Sequence, residues 1–161
     1  MLRKAVMITA ALALGLTVVG VAGAPSGADS GTHCTFQHVP NLEPGLSYKP
    51  SSGKFIDPGG GTVDCKGTVN GSGSYTDSGT VQGTCQDGGT AEGDPMFTIG
   101  DQTFTDHVMI RFALQPSKDG LVHATFEGSK TKGTIEITPT KGDCAVNPVT
   151  QIRGIGEFTL K

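Results

Sequence analysis

From residue 33 onward, apolar and polar side chains mostly alternate one by one, the period of a half-buried β-strand. Cys34, Phe36 and His38 alternate with Thr35 and Gln37. Residues 40–61 are rich in turn formers, punctuated by Pro44-Gly45 and Pro58-Gly59, with short strands expected around Leu46, Tyr48, Phe55 and Ile56. Over 62–69, Val63, Cys65, Gly67 and Val69 share one face, and Thr62, Asp64, Lys66 and Thr68 the other. Asn70-Gly71 then predicts a type I′ hairpin turn. Its partner run, 74–85, is poor in large apolar groups and reads as an edge-like or twisted strand. Residues 86–95 read as a loop, and Met96, Phe97, Thr98 and Ile99 as a short strand.

The second half alternates more clearly. A strand over 104–114 turns Phe104, Val108, Ile110, Phe112 and Leu114 to one face, and a loop follows at 116–120. Residues 121–127 return with Val122, Ala124 and Phe126 inward. Residues 134–138 bury Ile135 and Ile137, and 152–160 bury Ile152, Phe158 and Leu160, with Gly154 and Gly156 leaving space beside them. Beyond the first two dozen residues no segment has a convincing helical period. The pattern predicts an all-β fold, a single antiparallel β-barrel or sandwich of about 8–10 short strands. The glycine pair in the last strand favours curvature, hence the barrel.

The N-terminus has a different character. Arg3 and Lys4 precede an apolar stretch from Ala5 to about Val21 that closes in Ala22-Gly23-Ala24. This is the layout of a secretory signal peptide, and at roughly 17 residues the stretch is short against the ~20 a spanning helix requires. The expected organisation is a signal peptide at 1–24, a flexible leader at 25–32 and an all-β domain at 33–161. The expected product is a secreted protein with no membrane association after cleavage. Losing Arg3 and Lys4 leaves ten basic against fifteen acidic residues, a formal charge of −5. Lys130 and Lys132 are the only basic cluster, so nucleic acid is not an expected partner.

Export places the four cysteines, Cys34, Cys65, Cys85 and Cys144, in an oxidising compartment, where they form a disulfide framework. Cys34–Cys65 with Cys85–Cys144 is preferred, because it ties the poorly packed first half and pins the loop after Gly142. Cys34–Cys144 with Cys65–Cys85 is the main rival. Zinc is not expected, since its sites use closely spaced cysteine pairs.

Candidate chemistry concentrates at 104–127. His107, Arg111, His123 and Glu127 lie on the face opposite the apolar series. One register that keeps the apolar faces together sets His107 across from Glu127 and Arg111 across from His123. A histidine beside a carboxylate is a general base or pH sensor if that face lines a pocket; otherwise it is a solvated outer face. Asp106 interrupts the apolar series, which marks either a site or a strand end at the barrel rim. His33 and His38 fall on opposite faces of one strand and cannot chelate one ion together. The catalytic candidates are therefore His107, Glu127 and Asp106, and the binding candidates Arg111 and His123. No nucleophile turn, zinc-protease helix or phosphate-binding loop occurs, and no cofactor is implied.

Gly-Thr-Val-Asp-Cys-Lys-Gly-Thr-Val-Asn-Gly (61–71), Gly-Thr-Cys (83–85) and Gly-Thr-Ile-Glu-Ile-Thr-Pro-Thr-Lys-Gly-Asp-Cys (133–144) form a distinctive series. With Pro148-Val149-Thr150 and the ending Gly156-Glu157-Phe158-Thr159-Leu160, it resembles a group of small exported proteins of high-GC Gram-positive bacteria. The likeness spans nearly all of the chain after the export segment. It implies secretion and a cysteine-stapled β fold, and it transfers no catalytic residue.

The leading functional expectation is a secreted, non-enzymatic barrel that binds a small apolar ligand or an extracellular protein. The alternatives are an enzyme with a His107, Glu127 and Asp106 site in the barrel mouth, and an inhibitor or cell-envelope protein presenting a loop such as 86–95.

Overall fold

The computed structural model describes residues 31–112 and 122–161. The expected export segment, most of the leader, Leu114 and the 116–120 loop lie outside them. Alternation of small and apolar residues sets a succession of strands: β1 (Thr32–His38), β2 (Asn41–Leu46), β3 (Ser51–Ile56), β4 (Gly61–Lys66), β5 (Gly71–Thr76), β6 (Ser78–Thr84) and β7 (Gly88–Gly93). They continue as β8 (Met96–Ile99), β9 (Gln102–Thr105), β10 (Val108–Phe112), β11 (Val122–Gly128), β12 (Thr131–Lys141) and β13 (Val149–Leu160).

Eight of them close an antiparallel barrel in the order β12-β11-β10-β7-β6-β3-β2-β13, with β13 pairing back onto β12. The strand β13 is long enough to serve two partners along one edge. Its first residues pair with β2, as in Val149↔Leu46. Its remainder pairs with β1, from Gly154↔His38 to Leu160↔Thr32. From β1 a second run of strands extends in the order β4, β5, β8, β9.

Short breaks join the barrel to this extension, and aspartates occupy four of them: Asp57, Asp77, Asp94 and Asp106. Neighbouring breaks are stitched through the backbone. Asp57 N–H donates to Asp77 O at 3.1 Å, Asp94 N–H to Ser78 O at 3.0 Å, and Asp106 N–H to Pro95 O at 3.2 Å. Buried backbone groups that leave the ladder are thus still paired.

The barrel is closed, as the glycines of the last strand led one to expect. At Gly156 an added Cβ would sit 2.6 Å from the Phe36 ring, and at Gly154 2.6 Å from His38 Nε2. These glycines let two rings of β1 lie flat against β13. Phe36 stacks on Tyr75 at 4.7 Å, and Phe97 and Phe126 close around Phe158. The result is an aromatic layer between barrel and extension.

Several local expectations are corrected. Pro44-Gly45 lies within β2 instead of ending it. Thr32, assigned to the leader, is the first residue of β1, and its buried Oγ1 accepts the Val69 N–H at 2.9 Å. With Gly67 at a φ of 129°, that bond carries the chain off β4 at Lys66, so 67–70 form a longer connection. Asn70 does not adopt the positive φ that a type I′ turn requires there.

The run 74–85 is two strands, and both are internal: β5 sits between β4 and β8, and β6 between β3 and β7. Its scarcity of large side chains reflects close approach, since a Cβ at Gly73 or Gly79 would collide with a neighbouring carbonyl oxygen. Residues 88–93, read as loop, form β7 inside the barrel wall. The strand expected from 104 is broken at 106–107 into β9 and β10. Apolar residues do pair with apolar residues across β10 and β11, as in Ile110↔Phe126, but the register is shifted by two from the one considered.

Candidate functional site

Each barrel strand turns apolar residues inward, and together they leave a cavity of about 320 Å³. Leu42, Phe55, Val81, Ala91, Phe112 and Ile135 are representative of its wall. Its size falls within the range of small-molecule sites. It reaches the surface beside Tyr48, Pro139 and Asp143, all exposed. The aromatic layer, with Phe36, Tyr75, Phe97 and Phe158 in contact with the cavity, forms the opposite end.

That inner end is not wholly apolar. His38 from β1, Tyr75 from β5 and Asp77 from the β5–β6 break all line it. The Tyr75 hydroxyl donates to Asp77 Oδ2 at 3.1 Å. His38 Nδ1 lies 3.6 Å from Asp57 Oδ2, with both side chains almost fully buried. Four polar atoms here have no hydrogen-bond partner among the described residues: both ring nitrogens of His38, Asp57 Oδ2 and Asp77 Oδ1. Such atoms are uncommon in a native interior, where an unpaired polar group is destabilising.

Desolvation dominates the titration of this group. Burial pushes Asp77 up to about 7, against the lowering effect of hydrogen bonds from Tyr75 and the Ser78 N–H; Asp94 and Asp57 raise it further by repulsion. Burial likewise raises Asp57, opposed by the N–H groups of Gly59 and Gly60. Burial pushes His38 down to about 4, so at neutral pH its contact with Asp57 is not an ion pair. Tyr75 is raised well above its ordinary value by burial and then by the Asp77 charge.

The residues singled out from the sequence lie elsewhere. His107 is exposed, in the β9–β10 break, with Nδ1 2.8 Å from Asp94 Oδ1. That hydrogen bond, ahead of other acidic neighbours, raises its pKa. Glu127 is opposite Met109 and pairs with Lys161 at 3.7 Å, so it does not meet His107. Arg111 is opposite Thr125, and His123 lies 3.8 Å from Glu136 on β12. These four side chains are on the exterior and none lines the cavity. The enzyme reading required His107 and Glu127 to face a cavity, and that condition fails.

Asp106 is half-buried in the β9–β10 break, where the barrel meets the extension. Its Oδ1 accepts the Ser129 N–H and Oγ, and its Oδ2 accepts the N–H groups of Lys130 and Thr131 and the Thr131 Oγ1. Partial burial pushes its pKa up, but bonds from Thr131, Ser129 and Lys130 outweigh this and bring it to about 2. Asp106 therefore clasps the outer strand β9 to the β11–β12 turn.

The disulfides are Cys34–Cys65 and Cys85–Cys144, the preferred pairing. The first lies in the buried β1–β4 pair; the second ties the turn after β6 to the connection before β13, and its two cysteines line the cavity. Two disulfides suit an oxidising, extracellular setting. No helix among the described residues is long and apolar enough to cross a membrane, and no group of three ligating side chains there could hold a metal ion. His33 and His38 fall on opposite faces of β1, exposed and buried respectively.

Sequence reasoning missed His38, Asp57, Tyr75 and Asp77 as a group. The available signal was aspartates at turn-forming breaks between strands, as in Thr76-Asp77-Ser78-Gly79 and Gly93-Asp94-Pro95. Fold and cavity together define a disulfide-stapled, closed β-barrel with an apolar interior and a polar inner end. Comparison with protein-family models, curated proteins and solved structures finds no match to this chain.

Proposed function

We propose that the protein is a secreted binder of a small apolar molecule, held inside the barrel. The observation that carries this reading is the cavity of about 320 Å³, walled by apolar side chains from the barrel strands and reaching the surface at Tyr48. A core built only for stability closes to near-crystalline density and leaves few voids. An apolar wall of this kind binds by removing ligand surface from water, worth roughly 25 cal/mol per Å² before the cost of immobilising the ligand.

Secretion is supported by the two disulfides and by the signal-peptide layout of residues 1–24. The loop-presenting alternative loses its support, because 88–93 is a wall strand whose Ala91 faces the cavity. The test is titration of the oxidised protein with N-phenyl-1-naphthylamine, which fluoresces in apolar surroundings. Saturable enhancement at one probe per chain, displaced by 1-octanol, is expected. Fluorescence no greater than with the unfolded, reduced chain would overturn the reading.

A further inference from the structure

The chemistry of the cavity's inner end restricts the ligand further. Among the described residues no lysine or arginine lines the cavity, so none of them neutralises an anionic head group there. The groups that do line the inner end are chiefly acceptors. Asp77 is 95% buried and carries one unpartnered carboxyl oxygen, its other oxygen being occupied by the Tyr75 hydroxyl. His38 contributes an uncharged imidazole with neither nitrogen engaged. Behind them Asp57 holds a second unpartnered oxygen, with its own N–H bonded to Asp77 O. The Phe36 and Tyr75 rings stack beside this group, and aromatic faces attract cations.

We propose that the ligand is an amphiphilic amine whose apolar body fills the barrel and whose ammonium group docks on Asp77 beside His38 and Tyr75. This rests on the apolar-binder reading above and adds the head-group class. A primary ammonium has three N–H donors and no acceptor. It fills the vacant acceptor sites and supplies the positive charge that two buried carboxyls lack. A carboxylate or phosphate head would instead meet two acidic groups with no cation.

The order of affinities follows. Ionic pairing with Asp77 favours the amine over a neutral alcohol of equal length, and repulsion disfavours the acid. The amine affinity rises with pH as Asp77 ionises near 7, because Asp57, Asp94, His38 and Tyr75, the other titratable groups around it, supply no positive charge at that pH. Binding of the alcohol has no such rise.

The experiment is isothermal titration calorimetry of octylamine, 1-octanol and octanoate into the oxidised protein at pH 8 and pH 6. Octylamine binding about tenfold tighter than 1-octanol at pH 8, with octanoate weakest, is the expected result. Asp77→Asn is expected to abolish the advantage of the amine while retaining 1-octanol binding. Should that variant not fold, the loss of the amine advantage in the wild-type protein between pH 8 and pH 6 gives the same answer. Equal binding of amine and alcohol, or tightest binding of octanoate, would overturn the amine proposal and leave the apolar-binder reading intact. No binding of any of the three would overturn both.

Discussion

Asp77 takes the Tyr75 hydroxyl on Oδ2 at 3.1 Å, while its Oδ1, equally buried, meets no donor. The carboxyl is thereby fixed in place at the inner end of an apolar cavity with one oxygen in reserve. Its neighbour His38 is similarly buried and unengaged. Their opposed titrations lead to the first prediction.

The contributions of His38 and Asp77 to unfolding stability should nearly cancel between about pH 4 and 6.5 in the wild-type protein. His38, depressed to about 4 from 6.5, gives stability that is full above 6.5 and lost as pH falls through 4. Asp77, raised to about 7 from 3.8, gives stability that is full below 3.8 and lost as pH rises through 7. The two span roughly 3–4 and 4–5 kcal/mol respectively, with opposite slopes in the shared window. Asp77→Asn should therefore become more stable as pH rises from 4 to 6.5, and His38→Gln less stable. Urea melts at several pH values measure both slopes.

Asp106 does not itself line the cavity, though its partner Thr131 does. Asp106→Ala should destabilise the fold by about 2–3 kcal/mol, since it strands backbone N–H groups at 129–131. Its pKa of about 2 means that its contribution persists at mild acidity and is lost as pH falls from 3.8 through 2. Affinity for 1-octanol should be unchanged in Asp106→Ala, as calorimetry on the folded variant would show.

Gly154→Ala should destabilise the fold by about 1–3 kcal/mol, by pressing a methyl group against the buried His38 ring and Ile135. Gly59→Ala, where nothing lies within 4 Å of an added Cβ, should be near neutral. Thermal melts of the two variants side by side test whether close approach, not glycine flexibility, matters at β13.

Replacing Cys85 and Cys144 by serine should lower stability by about 2–4 kcal/mol by freeing a long loop in the unfolded chain. The 142–148 connection should then gain amide exchange, because its tie to the turn after β6 is removed. Hydrogen exchange by mass spectrometry reads this directly.

The class of fold was legible in the sequence because a period of two is imposed by burying one face of a strand. Val108, Ile110 and Phe112 announce β10, and Ile135 and Phe158 their own strands. What sequence concealed was continuity. β5, β6 and β7 are built largely from glycine, serine and threonine, because neighbouring backbones approach closely, so they carry little apolar signal. The polar inner end was hidden for a related reason. His38 was seen as one member of an alternating strand, and Asp57 and Asp77 lie at breaks where acidic residues usually face water. The β1-β4-β5 sheet and the backbone bond between Asp57 and Asp77 bring them together with Tyr75.

The central claim is that the barrel interior is a ligand site, and the most direct measurement compares 1-octanol binding by calorimetry in wild-type protein and in Ala91→Phe. Ala91 is a buried wall residue of β7 that lines the cavity, so a phenyl ring in its place takes up cavity volume. Saturable binding at one molecule per chain in the wild type, absent in a folded Ala91→Phe protein, is the predicted result. No binding to the wild type, or undiminished binding to the filled variant, would contradict it.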